Sequence, residues 1–569
     1  MIEPATATGT SGTFIRRSWC SVVAITLLIV GFISNLIFLY HNCPFDLSED
    51  ESHYWLWSQH MAWGYYSKGP GIAAIIYAAT HVGHWFGASL ASMPVIRTPA
   101  VIFSLLSGVA TWFLARRIFQ DDRAGLMAIV LGAGVPVFAV GSLLMTIDSP
   151  MYLCWAWAVV FVWLAVEPRA DTAPDQKAVA GWLYLAGLFF GLGILCKPIL
   201  LLLPPSVLIA AWINPYLRRR LATWNSLGAV LLGLALQIPT LVWNADHHWV
   251  TFRTIGGEGG IGSKSGLLHH LAQLPAHVGL YIGSQMGILA GILFVLLVLA
   301  IARAIRLARH APDEPTRVVW AFLLGLTLPI FGFYFILSLW TKIEPNWPAA
   351  GYFTAMILLS GVATQWFNAP SRLRNGWRFW IIAAVIGGFA ITQCAENISR
   401  LYPWFATWEH NGMPVPRWDP TARLHGLKLR ADAINKVRYS IWAGKGPKPL
   451  VLCDRWDTSS SLTFYMTGHP FVFCLGSING GKHSQYNLWP GVDQKNQSGN
   501  LRFRGRDAVL TGSFSGPVFN RIIRPAFTRV SAIEVIPLYY HHVLIKKLNV
   551  WKCYGFKGLD MTKILPHGR

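Results

Sequence analysis

Two short stretches, Asp46-Leu-Ser-Glu-Asp-Glu-Ser-His-Tyr-Trp-Leu-Trp-Ser58 and Tyr65-Tyr-Ser-Lys-Gly-Pro70, crowd carboxylates, an imidazole, phenols and an ammonium together. Only 13% of the 569 residues are charged, so this density needs a reason. Ser48 with Glu51 three residues on reads as a capping box, which starts a helix at Glu49. Glu49 and Asp50 then lie in the first turn, where the helix dipole favours anions. Asp50, His53, Tyr54 and Trp57 share one face at helical spacing. A carboxylate there could take a proton from a hydroxyl. Lys68, in a turn fixed by Gly69 and Pro70, could meet a phosphate or snorkel towards lipid headgroups.

Further polar residues border apolar runs, where charge is costly and usually functional. They are Asp148 in Met145-Thr-Ile-Asp-Ser-Pro150, Lys197 before Pro198, the loop Trp243-Asn-Ala-Asp-His-His-Trp249, and Lys342-Ile-Glu-Pro-Asn-Trp347. Asp148 has an alternative reading as an N-cap ahead of Ser149-Pro150. Lys197 needs an anion, and neither neighbouring run supplies one. The expectation is that these groups converge with Asp50 and Lys68 in one site at the membrane–water boundary.

The elements that must carry them are membrane helices. The chain is 53% hydrophobic. Runs at 19–40, 97–119, 124–143, 149–166, 180–196, 198–214, 222–243, 278–302, 317–340, 348–366 and 376–395 make eleven candidate spans. The 71–90 stretch reads as an interfacial helix. With the N-terminus cytoplasmic, Arg116, Arg117, Arg123, Arg169, Lys177, Arg218, Arg219, Arg220, Arg303, Arg306, Arg309, Arg372, Arg374 and Arg378 fall on the cytoplasmic side. The opposite side holds only Lys68, Arg97, Lys197, Arg253, Lys264 and Lys342, which fits the positive-inside rule. An odd number of spans then puts the C-terminal segment outside the cytoplasm.

The expected architecture is thus a polytopic α-helical membrane domain over 1–397, with a catalytic first external loop at 41–96. A soluble periplasmic α/β domain follows over 398–569. In that domain Leu424–Trp442 and Asp457–Tyr465 read as helices. Pro449–Cys453, Phe471–Cys474, Ala508–Thr511, Thr528–Ile536 and Val550–Tyr554 read as strands. Residues 398–569 carry 24 basic and 9 acidic side chains, a large share of the chain's formal +21. No stripe of basic and stacking aromatic residues accompanies that charge, so a nucleic-acid partner is not expected. Eight cysteines show no CxxC or Cys/His spacing. Cys453 and Cys474 are either a bridge or buried thiols.

A carboxylate with phosphate-binding cations at a lipid boundary points to group transfer from a lipid-linked phosphate. The acid takes the acceptor's proton, and the cations stabilise the departing phosphate. Such a donor needs no ATP, and the sequence has no Walker loop and no dinucleotide fingerprint.

Asp50-Glu51-Ser-His-Tyr54-Trp-Leu-Trp57, Gly64-Tyr-Tyr, Asp148-Ser-Pro150, Lys197-Pro198, Trp243-Asn244 with His248-Trp249, and Glu344-Pro-Asn-Trp-Pro348 resemble the bacterial GT-C glycosyltransferases. The likeness is to the branch containing protein O-mannosyltransferases and the lipid A aminoarabinose transferase. Asp419-Pro-Thr-Ala-Arg423 and Gln485-Tyr-Asn-Leu-Trp-Pro-Gly491 resemble that branch's C-terminal domain. The resemblance implies a sugar donor on a polyprenyl phosphate and inversion at the anomeric carbon. It implies Asp50, with Glu51 beside it, as the essential acid and Asp148 as a second. Tyr54, Tyr65, Lys68 and Lys197 would hold the donor phosphate. Beside these, His53, Asn244, Glu344 and Asn346 are candidate substrate contacts, and His247 and His248 either cap their loop or hydrogen-bond substrate.

Many relatives have Asp-His where this chain has Ser67-Lys68, so no metal site is carried over; a divalent metal stays open as a cofactor. The expected partners are the polyprenyl-phosphate sugar, a lipid or glycolipid acceptor of anionic character such as lipid A, and the bacterial inner membrane. Two alternatives are a protein O-mannosyltransferase-like enzyme and a lipid or sugar transporter or flippase. A transporter predicts polar residues near the midplane in matching halves, and here they sit at span ends on one side.

Overall fold

The computed structural model describes residues 11–168, 176–259, 267–402, 419, 421–442, 444 and 446–560. Arg169 and Lys264 lie outside the described residues. The chain forms two compact units, each made of several stretches of sequence. The first comprises Met1–Asn42, Lys68–Ile72 and Arg97–Thr392; the second comprises Cys43–Ser67, Ala73–Ile96 and Gln393–Arg569. Most of the expected first external loop therefore belongs to the same unit as the C-terminal domain.

The first unit is helical. Among the described residues, six helices are long and apolar enough to cross a membrane: Trp19–Asn42, Met93–Phe119, Asp148–Val166, Gln176–Cys196, Glu314–Leu337 and Ser371–Leu401. Three bent pairs raise the number to nine if each is one span. Asp122–Ala133 and Pro136–Leu143 meet at 78° where Gly134 and Pro136 interrupt the helical ladder. Trp224–Ala235 and Ile238–Asp246 meet at 42° beside Pro239. The 102° bend before Ile292–His310 uses positive φ at Ala290 and Gly291.

The eleven expected runs are all helical, yet two do not qualify as spans. Pro198–Ile213 is short. Ala350–Phe367 is the central helix, buried at every position from Ala350 to Ala363. A helix walled by protein does not need the apolarity that lipid contact demands, and this one carries Thr354 and Ser360 inward. Trp155, Trp163, Trp320 and Tyr352 fill the core of this unit.

The second unit is built on a six-stranded mixed sheet: β1 (Leu450–Cys453), β2 (Phe473–Cys474), β3 (Ala508–Thr511), β4 (Phe527–Val530), β5 (Glu534–Tyr540) and β6 (Val543–Phe556). The order is β2-β1-β3-β6-β4, with β5 also on β6. β1 pairs in parallel with β2 and β3, and β6 is antiparallel to β3, β4 and β5. Period-two alternation feeds two cores, with Leu450 and Leu452 on one face and Val451 and Cys453 on the other. Helices Leu427–Ile441 and Trp456–Tyr465 cover the second face.

The strand expected over 528–536 is split between β4 and β5. The turn His541-His542, with φ of 47° and 66°, closes a β5–β6 hairpin that the sequence did not signal. Cys453 and Cys474 are register partners on β1 and β2, and both are free thiols.

Candidate active site

In the first unit, helix Gln176–Cys196 ends at Lys197, and helix Asp148–Val166 begins at Asp148. Lys197 Nζ donates to Asp148 Oδ1 at 2.5 Å, with both side chains nearly buried. Asn346 Nδ2 donates to Asp148 Oδ2 at 2.7 Å. The anion that Lys197 requires is thus Asp148, supplied from 49 residues away. The N-cap reading of Asp148 fails, because the cap position is Ile147 and no side chain caps this helix. Both carboxylate oxygens are committed to the cluster instead.

Lys68 is brought to the same helix end by backbone packing. A Cβ on Gly69 would lie 2.4 Å from the Leu195 carbonyl oxygen, and one on Gly71 would lie 2.5 Å from the Cys196 Sγ. Only glycine permits this approach, so Lys68-Gly-Pro-Gly71 is clamped against the residues just before Lys197. Lys68 Nζ lies 3.9 Å from a Glu258 carboxylate oxygen.

The Glu344-Pro-Asn-Trp-Pro loop splits by role. Asn346 points into the Asp148 cluster, whereas Glu344 is exposed and pairs with Lys342 at 3.5 Å. Gln285, which sequence reading did not single out, is buried and donates to the Pro345 carbonyl at 3.3 Å. Tyr352 donates to Gln285 Oε1.

In the 243–249 loop Asn244 is fully buried and organises the turn. Its Nδ2 donates to the Thr240 carbonyl, and its Oδ1 accepts from the Thr251 amide. His247 stacks on Trp243 at 4.0 Å and places Nδ1 2.8 Å from its carbonyl oxygen. His248 is exposed at a positive φ. Asn244 and His247 thus have local structural partners.

In the second unit the expected capping box is present, with Ser48 Oγ accepting from the Glu51 amide and Glu51 accepting from the Ser48 amide. Glu51 is fully buried by this task, and Asp50 is exposed. The face expected to present His53 and Tyr54 to substrate is a packing face. Residues Glu51 to Ser58 are buried without exception, so helix Glu49–Ser58 has no solvent side over that stretch.

His53 Nδ1 lies 2.7 Å from Ser460 Oγ, and its Nε2 accepts from the Trp57 indole at 3.1 Å. With both nitrogens taken and the ring buried, desolvation pushes its pKa down to about 3, against a small opposing pull from Asp457. Tyr54 packs its ring 5.1 Å from that of Trp57. Tyr65 stacks on Trp57 at 4.3 Å; its hydroxyl donates to the Trp57 carbonyl and accepts from the Ala62 amide. Burial pushes that phenol up to about 12. Tyr65 is therefore a brace of its own loop.

Charges that the sequence did not flag surround the start of this helix. Arg430 approaches Glu49 at 3.8 Å and donates to Thr458, and Arg455 pairs with Asp457. Burial and the Asp457 charge push the Glu49 carboxyl up, against Arg430, Lys546 and Arg455.

The model of the dolichyl-phosphate-mannose-protein mannosyltransferase family matches residues 67–243. The lipid A galacturonosyltransferase RgtD of Rhizobium johnstonii is 24% identical over 342 residues, 58% of this chain and 64% of that protein. The undecaprenyl phosphate-alpha-4-amino-4-deoxy-L-arabinose arabinosyl transferase of Pseudomonas aeruginosa (strain LESB58) is 31% identical over 246 residues, 41% of each chain. The chain thus spans just under two thirds of the first relative and about two fifths of the second. The crystal structure of ArnT from Cupriavidus metallidurans bound to undecaprenyl phosphate superposes with a TM-score of 0.52 over 94% of this chain and 98% of that one, at 15% identity. The fold is GT-C. The apo form of the same ArnT agrees, with a TM-score of 0.51. A GT-C fold with a C-terminal sheet domain is what the motifs implied.

Proposed function

We propose that this protein is an inverting glycosyltransferase that moves a sugar from a polyprenyl phosphate to an envelope glycolipid of the lipid A type. The observation that carries the reading is the buried Asp148–Lys197–Asn346 cluster at the ends of membrane-length helices, with Lys68 clamped beside the same helix end. A buried ion pair costs desolvation and is a poor way to gain stability, so its retention at a span end fits function. Lys197 and Lys68 take the donor phosphate. The bond from the anomeric carbon to phosphate oxygen breaks, and its electron pair leaves with the polyprenyl phosphate. A bond to the acceptor oxygen forms on the opposite face of the sugar. The acceptor's proton passes to Asp50 when the acceptor is a hydroxyl; with a phosphate acceptor Asp50 orients it instead.

The relatives' names, a lipid A galacturonosyltransferase and an undecaprenyl-phosphate aminosugar transferase, support this donor and acceptor class. An apolar cavity of about 570 Å³ lined by Leu183, Phe190, Leu203, Leu208 and Leu227 suits a hydrocarbon chain beside these spans. The reading includes a multi-pass location in the bacterial inner membrane, with the N-terminus cytoplasmic and residues 398–569 periplasmic. The distribution of arginine supports that orientation.

The test is transfer of radiolabelled sugar from polyprenyl phosphate to purified lipid A in membranes with and without the protein. Label reaching lipid A only with the protein supports the reading. Label reaching protein instead favours the mannosyltransferase alternative, and label crossing the membrane untransferred favours a transporter.

A further inference from the structure

We propose that Gln285 and Tyr352 are positioning residues that set the Asp148–Lys197 pair through the Glu344-Pro-Asn-Trp-Pro loop. The inference rests on the reading of Lys197 as a donor-phosphate ligand. Its basis is an unbroken set of hydrogen bonds within the first unit. Tyr352, on the central helix, donates its hydroxyl to Gln285 Oε1. Gln285 Nε2 donates to the Pro345 carbonyl at 3.3 Å and to Ser284 Oγ at 3.0 Å. The next residue, Asn346, donates to Asp148 Oδ2 at 2.7 Å, and Asp148 Oδ1 holds Lys197 at 2.5 Å.

The direction of each bond is fixed by chemistry. The Pro345 carbonyl can only accept, so the Gln285 amino group must face it. The Gln285 carbonyl then faces Tyr352, which must donate. Gln285 and Tyr352 are both buried, so neither side chain has water to replace a lost partner. Pro345 has no amide hydrogen, so its carbonyl is the backbone group by which a neighbour can hold it.

The consequence is local. A carboxylate held at one oxygen rotates about its bond to Cβ; held at both, it presents a fixed oxygen to the ammonium. Asn346 supplies the second hold, and the Gln285–Pro345 bond fixes where Asn346 starts from. Lys197 has three N–H donors, of which Asp148 takes one. A fixed Asp148 therefore aims the ammonium that meets the incoming phosphate. Preorganising a charged donor in this way improves recognition of charge without adding a contact to the ligand.

The experiment uses the full-length protein in lipid nanodiscs and undecaprenyl phosphate as the probe. Tyr352→Phe, Gln285→Met, Asn346→Leu, the Gln285→Met/Asn346→Leu double variant and Lys197→Ala are compared with wild type. Each of the first three should raise the Kd for undecaprenyl phosphate about 5–10-fold, the scale of one lost hydrogen bond. The double variant should be no weaker than the worse single, since both break one chain of contacts. With labelled donor, KM should rise more than kcat falls. Tyr352→Phe removes a single oxygen and keeps the ring, so it decides the matter if Gln285→Met does not fold. If Tyr352→Phe binds the lipid like wild type while Lys197→Ala binds weakly, the positioning role is wrong and the phosphate role stands. A lowered melting temperature with unchanged Kd likewise overturns the proposal. If Lys197→Ala binds like wild type, the phosphate reading itself is wrong.

Discussion

Asp50 and Glu51 are neighbours with the same chemistry and opposite environments. Glu51 is consumed by the capping box, and Asp50 is exposed in the first helical turn. Glu51→Ala should therefore lower stability by about 1 kcal/mol, the cost of a lost cap, seen as an earlier denaturation midpoint. Asp50→Asn should cut transfer to a hydroxyl acceptor by about 10²–10⁴-fold, the range for a positioned base. His53 makes the opposite case, because its burial predicts a pH effect on stability. Its folded pKa of about 3 lies below its ordinary 6.5, so the folded state binds fewer protons than the unfolded state between those values. Stability should fall as pH drops below 6.5, and the His53 contribution should level off near pH 3. Melting temperatures of wild type and His53→Gln between pH 7 and pH 4 should converge as the pH is lowered. At this scale the capping box was legible because it is local. The partner of Lys197 was not, because Asp148 is 49 residues away and pairing across helices leaves no mark in spacing.

The Lys68 turn and the β5–β6 hairpin show how elements were or were not readable. Lys68-Gly-Pro-Gly71 announces a turn, but the sequence does not say what the glycines approach. The contact with Leu195 does, and Gly69→Ala should force the turn off the end of helix Gln176–Cys196. Donor KM should rise by at least about tenfold, as expected when a positioned charge moves by an ångström. A substitution to alanine at Gly257, where nothing lies within 4 Å, serves as the control and should leave KM unchanged. The hairpin escaped notice because two histidines occupy its turn where Asn-Gly is the usual signal. Both hold positive φ, so His541→Asn with His542→Gly should stabilise the protein by about 1 kcal/mol, read from the denaturation midpoint. The helices were readable throughout from apolar length. The 348–366 run reads as a candidate span, but hydropathy does not tell that Ala350–Phe367 is walled by protein rather than lipid.

For the whole molecule the informative result is where the units divide. Sequence order suggests a separate soluble domain over 398–569. Yet residues Cys43–Ser67 and Ala73–Ile96 are counted in the same unit as Gln393–Arg569. Within that unit the Asp46 amide donates to the Leu424 carbonyl at 2.8 Å, and the Tyr66 amide donates to Gln485 Oε1 at 2.7 Å. Trp55 packs edge-on to Phe464 at 5.0 Å. Tyr54, Trp55, Leu56 and Trp57 are each no more than 6% exposed. Burial of such side chains is worth about 1.5–3 kcal/mol each, so the four together match the net stability of an ordinary domain. A chain ending at 397 would expose this helix, which carries Asp50. We predict that residues 1–397 expressed alone enter the membrane but lose all transfer activity, with the 49–58 helix open to protease. Co-expression of 398–569 as a separate chain should restore protection first and activity with it, measured by limited proteolysis and labelled-sugar transfer on the same membranes. Activity from 1–397 alone would mean that the 49–58 helix can be held without its C-terminal partners.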